Sequence, residues 1–237
     1  MTDTTDHIRA IRTRGRSDLE AHRLSVLLAS PDLPWQIKLT CFPWLGFWVL
    51  GFADAMAYLL DDEAEGQGAD AVRVHALEDA EHWRWFLQDL KQLEDAGVLL
   101  PENGTSLGIQ WMPEARPVRE MVYEVMSALR HTRQATVRMI ALEVCEDGYA
   151  AFEGAMTPVV EGAGLFQGLH YLGQTHTVAE AAHEGHQHEE VWPPEGWEDL
   201  TLEEQRGACE LAEHLYACLD AMHGVFADAI EASAERT

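Results

Sequence analysis

The stretch CFPWLGFWVLGFADAMAYLL, residues 41–60, is apolar over most of its length and carries one charge, Asp54. A helix of this length is long enough to cross a bilayer. However, Pro43, Gly46 and Gly51 interrupt the stretch, and it continues directly into acidic residues with no basic residue at that end. We therefore predict that it forms a core helix of a large helical domain and that the protein has no membrane partner.

Helical spacing of apolar residues continues through nearly the whole chain on both sides of this stretch. No run of useful length alternates with the period of two that a half-buried strand would show. Thr201 and Glu204 have the spacing of a capping box, which predicts the start of the last helix. The sequence predicts an all-α fold of about seven helices in a single domain, residues 1–237. The predicted helices cover residues 18–28, 35–60, 71–96, 117–156 with one break, 174–187 and 201–233.

The charge balance is strongly acidic. Lys and Arg total 16, Asp and Glu total 41, and the net charge is −25. Such a surface repels phosphate backbones, so we expect no nucleic-acid partner. Four cysteines occur without a Cys-x-x-Cys pair, and the first residues lack an apolar signal region, which together indicate a cytoplasmic protein with reduced thiols.

The first group of candidate metal ligands lies on the predicted helix 71–96. His75, Glu78, Asp79 and His82 share one helical stripe, whereas Glu81 points well away from it. The same helix is rich in tryptophan and leucine, so it should be largely buried. Buried acids and imidazoles need partners, and a metal ion would supply one. The alternative interpretation is a solvated acidic face.

A second group lies in the middle of the chain, where Glu143, Glu146 and Asp147 share a face. Acidic residues at this spacing repel one another unless solvent or a cation lies between them. The sequence leaves open whether Glu143 or Glu146 would be a metal ligand.

The third group is His176, Glu180 and His183, again on one stripe of a helix. The residues between them are small, which lets neighbouring helices approach closely. Two imidazoles and a carboxylate suit iron, manganese or zinc. His186 and His188 follow Gly185 and stand beside acidic residues, so we expect them to be exposed and dispensable.

Together the three groups offer about four imidazoles and three or four carboxylates from separate helices, which is more than one zinc needs. A pair of irons in a helical bundle would use such a set. Ferritin-like bundles use Glu-x-x-His pairs on two helices. Here Glu180 and His183 form one such pair, and Asp79 and His82 form an Asp-x-x-His variant.

The spacing His176-x3-Glu180-x2-His183 resembles the helix that carries the last ligands in the haem-oxygenase-like diiron oxidases and oxygenases. In that family a mid-chain helix carries a Glu, which Glu143 matches. An earlier helix carries a carboxylate followed by a His, which Glu78 or Asp79 with His82 matches. One departure is His75, which stands where some members have a Glu, and it is left open whether His75 is itself a ligand.

This resemblance implies a seven-helix haem-oxygenase-like bundle that binds two Fe(II) ions and uses O2 as a co-substrate. It implies a small-molecule substrate such as an amino acid or a related amine or carboxylate, which would be modified in a natural-product biosynthetic pathway. The reaction classes are N-oxygenation, C–C cleavage, desaturation and cyclisation. An external electron donor and a homodimer are compatible with it. The metal ligands that it implies are Glu78, Asp79, His82, Glu143, His176, Glu180 and His183, with His75 as an open eighth.

Three other functions remain as alternatives. A ferritin-like or other iron-binding protein without catalysis would use the same ligands. A metal-free thiaminase-like enzyme of the same fold would rely on a nucleophile and would not need two histidines on each of two helices. A haem-binding protein would need a basic surround for the propionates, and this chain has only 16 basic residues.

Overall fold

The fold is all-α, as the sequence predicts. The computed structural model describes residues 4–99, 107–182 and 192–236, and these ranges contain no strand. Seven of their α-helices have eleven or more residues and form the bundle. The α-helices are α1 (Thr4–Glu20), α2 (Arg23–Ala29), α3 (Trp35–Lys38), α4 (Gly46–Asp61), α5 (Ala69–Asp79), α6 (His82–Asp95), α7 (Arg116–His131), α8 (Ala135–Gly162), α9 (Gln174–Ala182) and α10 (Leu202–Ala234).

The longest helix, α10, packs against α1, α7 and α8. Its start is the predicted capping box: the Glu204 backbone N–H donates to Thr201 Oγ1, and the Thr201 backbone N–H donates to the Glu204 carboxylate at 2.8 Å. Its inward-facing apolar side chains, among them Leu215, Leu219 and Ile230, are fully buried. One cluster of buried apolar residues links α10 with the other long helices.

The apolar stretch at residues 41–60 lies in the interior. It begins as a 3₁₀ segment, Leu39–Leu45, and continues as α4. The run Trp35–Asp61 is long and apolar enough to cross a membrane, with a mean hydropathy of 1.3 in its best window, but 56% of that window is buried inside the fold. Burial of this kind is typical of a core helix and agrees with the interpretation drawn from the sequence.

Several helix bounds differ from the sequence prediction, and two of the differences bear on the site. The chain forms α1 from Thr4 onwards, whereas we expected a helix only from residue 18; Ile8, Ile11 and Leu19 bury its inner face. The expected single helix 71–96 is divided at Ala80 and Glu81 into α5 and α6. Alanine favours the helix interior, so local propensity does not predict this break.

Candidate metal centre

Three potential ligands converge between α5 and α8. His75 and Asp79 come from α5, and Glu146 comes from α8. His75 Nε2 lies 3.0 Å from Asp79 Oδ2 and 3.4 Å from Glu146 Oε1. One ligand atom from each residue falls within 4.8 Å of the other two. His75 and Asp79 are buried, and Glu146 is nearly so.

Two further histidines adjoin this group. His82 begins α6, and its Nδ1 lies 3.5 Å from Asp79 Oδ1. His176 on α9 places its Nε2 3.1 Å from the same His82 nitrogen. Four helices therefore bring five metal-capable side chains to one place, and three of those five are buried outright.

Asp79 occupies the centre of the arrangement. Its Oδ2 faces His75, and its Oδ1 faces His82. One carboxylate therefore lies between two imidazoles, with a separate oxygen facing each.

A small cavity opens beside these groups. Its volume is about 40 Å³, which exceeds the space that a single water needs but is far below that of an organic substrate. Asp79, His82, Glu146 and His176 form its polar side. Its other walls are mainly aromatic and include Trp48, Phe52, Trp83, Tyr149 and Tyr171.

The electrostatics of the group favour a cation. Burial by itself lowers the pKa of His75, but the carboxylates of Asp79 and Glu146 outweigh it and raise that pKa well above 6.5. Cys145 also lines the cavity, and burial with nearby carboxylates raises the pKa of its thiol well above 9. The local donors are therefore imidazoles and carboxylates rather than a thiolate.

Glu143, the mid-chain ligand implied by the resemblance, lies elsewhere. Its Oε2 accepts a hydrogen bond of 2.9 Å from Arg12 of α1. Asp147 accepts two more from the same guanidinium, at 2.9 and 3.0 Å, and Tyr216 donates to it at 2.5 Å. Glu143 and Asp147 thus face α1, whereas Glu146 faces His75 on α5. Of the two residues that the sequence left open, Glu146 is the one that lies beside His75 and Asp79.

Of the remaining predicted ligands, Glu78 is the one whose side chain the structure describes. Glu78 is half-buried on α5 and is not among the three residues whose ligand atoms converge. Glu180 belongs to α9, but its side chain lies outside the described part of the chain. His183, His186 and His188 also fall outside the described residues, so their predicted roles stay predictions.

Sequence reasoning missed the residues that position His176. Tyr149 Oη lies 2.5 Å from its Nδ1, and the backbone carbonyl of Tyr171 lies 3.1 Å from the same atom. Tyr149 is three residues after Glu146, so helical spacing alone could have placed it on the same side of α8. The Arg12 ion pair was missed because α1 was not predicted.

Comparison with known proteins does not assign a family. No protein-family model matches the chain, and a search of curated proteins returns no significant match.

Proposed function

We propose that the protein is a non-haem diiron enzyme that uses O2 to oxidise a small molecule. The observation that carries the proposal is Asp79, which lies between His75 and His82 with one oxygen facing each. One ion would be held by His75, Asp79 and Glu146, and the other by Asp79, His82 and His176. The resemblance adds Glu180 and His183 to the second set.

The donor set fits iron. Mixed imidazole and carboxylate ligands suit redox-active iron, whereas the soft thiolates that favour other metals are lacking among the described residues of the group. His75 Nε2 is buried and has no well-aligned hydrogen bond within the described residues, although two carboxylates lie near it. Its raised pKa favours the protonated ring, so an ion bound there would displace that proton and take its place between the carboxylates.

Iron, when bound, supplies the electrons that activate O2. The chain's own residues hold the ligands in place, and the aromatic walls limit the water around them. The cavity of about 40 Å³ has room for a diatomic gas. An amino acid or a related amine or carboxylate is the proposed substrate class. An external electron donor and a homodimer are compatible with the proposal, and the expected location is the cytoplasm.

Anaerobic titration with Fe(II) tests the metal content. We expect up to two irons per chain, and we expect loss of iron in Asp79→Asn, His82→Ala and His176→Ala. Glu81→Gln is the matched control, because Glu81 stands between α5 and α6 but is 63% exposed in its side chain. One tightly bound zinc and no iron in the unaltered protein would contradict the diiron proposal.

Oxygen consumption tests the reaction. The iron-loaded protein should consume O2 faster when a substrate among the amino acids is added. Iron binding without any O2 consumption would favour the second candidate, a non-catalytic iron-binding protein, which the small size of the cavity supports. The metal-free thiaminase-like alternative receives less support, because the high pKa of Cys145 disfavours a thiolate nucleophile in this cavity.

A further inference from the structure

A second and much larger cavity lies on the opposite side of α4. Trp48, Val49 and Phe52 face the metal centre, whereas Phe47, Leu50 and other residues about half a turn away line this second space. Its volume is about 710 Å³, within the range of pockets that hold organic ligands. Helices α6 and α7 and the segment Leu107–Trp111 complete its walls.

The walls of this cavity are mostly apolar and partly open to water. Nine large apolar side chains are exposed within the described residues, and four of them line this one cavity. They are Leu50, Leu87, Trp111 and Tyr123. Apolar side chains that are exposed singly are common, but several exposed together in one cavity typically mark a binding surface.

The aromatic wall is held in place by hydrogen bonds. Gln110 donates to the Pro43 carbonyl at 2.6 Å and accepts from the Phe47 backbone N–H at 3.0 Å. Arg119 donates to the Gln110 carbonyl and lies over the ring of Trp111. Phe47 in turn packs edge-on against Trp111 and Tyr123, with centroid distances of 5.5 and 5.8 Å. The cavity is therefore preformed.

The charges at the cavity determine what it would bind. Asp54 of α4, Glu94 of α6 and Lys91 line it. No ion pair within 4.0 Å joins either carboxylate to a described residue, although Glu94 helps Asp95 to raise the pKa of Lys91. Glu94 Oε1 is buried and has no hydrogen-bond partner among the described residues. The two nearby cations are already engaged, Lys91 with Asp95 at 2.8 Å and Arg119 with backbone carbonyls. A ligand that supplies a positive donor complements this site, and one that brings a carboxylate does not.

We infer that this cavity is a binding site for a small organic amine with an apolar body. The ammonium group would donate to the buried oxygen of Glu94, and Asp54 would add negative charge to the same cavity. The aliphatic or aromatic body would cover Phe47, Trp111 and Tyr123. Aromatic faces also attract cations directly. The site is separate from the metal centre and does not depend on the function proposed for it.

Calorimetry with three probes of equal chain length tests the inference. Octylammonium, 1-octanol and octanoate, each below its micelle-forming concentration, would be titrated into the full-length protein. We expect octylammonium to bind most tightly and octanoate least tightly. The double variant Asp54→Asn, Glu94→Gln should weaken octylammonium binding by about tenfold or more, because charge-assisted hydrogen bonds are lost. It should leave 1-octanol binding unchanged.

Two controls keep the test decisive. Glu210→Gln removes an exposed carboxylate from α10 and should not change octylammonium binding. Trp111→Ala should weaken both octylammonium and 1-octanol, and circular dichroism would establish that each variant is folded. Equal affinity for all three probes, tighter binding of octanoate, no binding, or unchanged octylammonium affinity in the double variant would each overturn the inference. So would sedimentation showing a dimer that Trp111→Ala converts to a monomer, because a second copy of the chain would then cover this face.

Discussion

Hydrogen bonds around His176 fix which of its ring nitrogens can bind a metal. The Tyr171 carbonyl can only accept, so Nδ1 of His176 carries the proton at the 3.1 Å contact. The Tyr149 hydroxyl donates to the same carbonyl at 3.3 Å and accepts from Nδ1. Nε2 is therefore left with its lone pair, and it is the atom that faces His82. A partner on the far nitrogen that sets the tautomer is typical of histidines that bind metals.

Removing the Tyr149 hydroxyl should leave the His176 ring less firmly oriented. In Tyr149→Phe we expect Fe(II) affinity to fall by about tenfold, within the range found for such supporting groups. The cause is a less constrained His176 ring. Binding isotherms with Fe(II) measure the effect, and Tyr123→Phe, an exposed tyrosine away from the centre, is the control. Equal affinities in the two variants would show that Tyr149 does not position the histidine.

Arg12 is the buried cation at the contact between α1 and α8. It is 7% exposed and pairs with Glu143 and Asp147. Its loss removes the nearest cation from both buried carboxylates and leaves Asp147 with Arg16, 3.7 Å away. We expect Arg12→Met to lower the free energy of unfolding by about 3–5 kcal/mol. Arg14 lies on the same helix but pairs with Glu213 at the surface, and Arg14→Met should cost less than about 1 kcal/mol. Urea denaturation compares the two, and similar losses would contradict this account of α1.

The long helices approach one another closely where glycine faces a neighbour. A Cβ on Gly148 of α8 would lie 2.6 Å from Leu219 Cδ2 of α10, and Leu219 is fully buried. A Cβ on Gly15 of α1 would meet the ring of Tyr216, 2.4 Å from Cδ1. These contacts bring α8 and α1 against α10, and Asp147 at their junction anchors Arg12 and Tyr216.

Two alanine substitutions on α8 test the importance of this packing. Gly148→Ala should lower the free energy of unfolding by about 1–3 kcal/mol, since the added methyl group has no space. Gly154→Ala meets nothing within 4 Å and should raise stability by up to about 1 kcal/mol, because alanine favours a helix. Thermal unfolding distinguishes them; a stabilised Gly148→Ala protein would mean that α10 can move away at little cost.

Helix periodicity and end signals were enough to predict most elements. Apolar spacing predicted α4, α7 and α10, and the Thr201–Glu204 pair predicted where α10 begins. Local preference did not predict the break at Ala80, because alanine favours the helix interior. The same limit applies to the acids of α8: spacing places Glu143 and Glu146 on one face, but only the positions of α1 and α5 determine which of them meets Arg12 and which meets His75.

The whole molecule carries a net charge of −25 but also contains a histidine that folding keeps neutral. His223 is 1% exposed, and burial, with a smaller contribution from His22, lowers its pKa to about 3. The unfolded chain takes up this proton near pH 6.5, and the folded chain does not. The stability associated with the neutral ring is therefore present above about pH 6.5 and is lost as the pH falls towards 3.

Replacing His223 should make the fold less sensitive to acid. From the two pKa values, proton uptake by the unfolded chain removes about 2 kcal/mol by pH 5. In His223→Leu, the drop in the free energy of unfolding between pH 7 and pH 5 should be smaller than in the unaltered protein by about that amount. His131→Gln, at an exposed position, should leave the drop unchanged. Chemical denaturation at both pH values provides the measurement, and parallel curves for all three proteins would contradict the prediction.

The convergence of His75, Asp79 and Glu146 has a consequence for how the fold opens. His75 and Glu146 are separated by 146 − 75 = 71 positions in the sequence, so an ion held between them would act as a reversible cross-link across that loop. A cross-link that closes a long loop restricts the unfolded chain more than one that closes a short loop. Amide protons of α5 should then exchange with solvent more slowly in the loaded protein, and a chelator would return them to the faster rate without breaking any covalent bond.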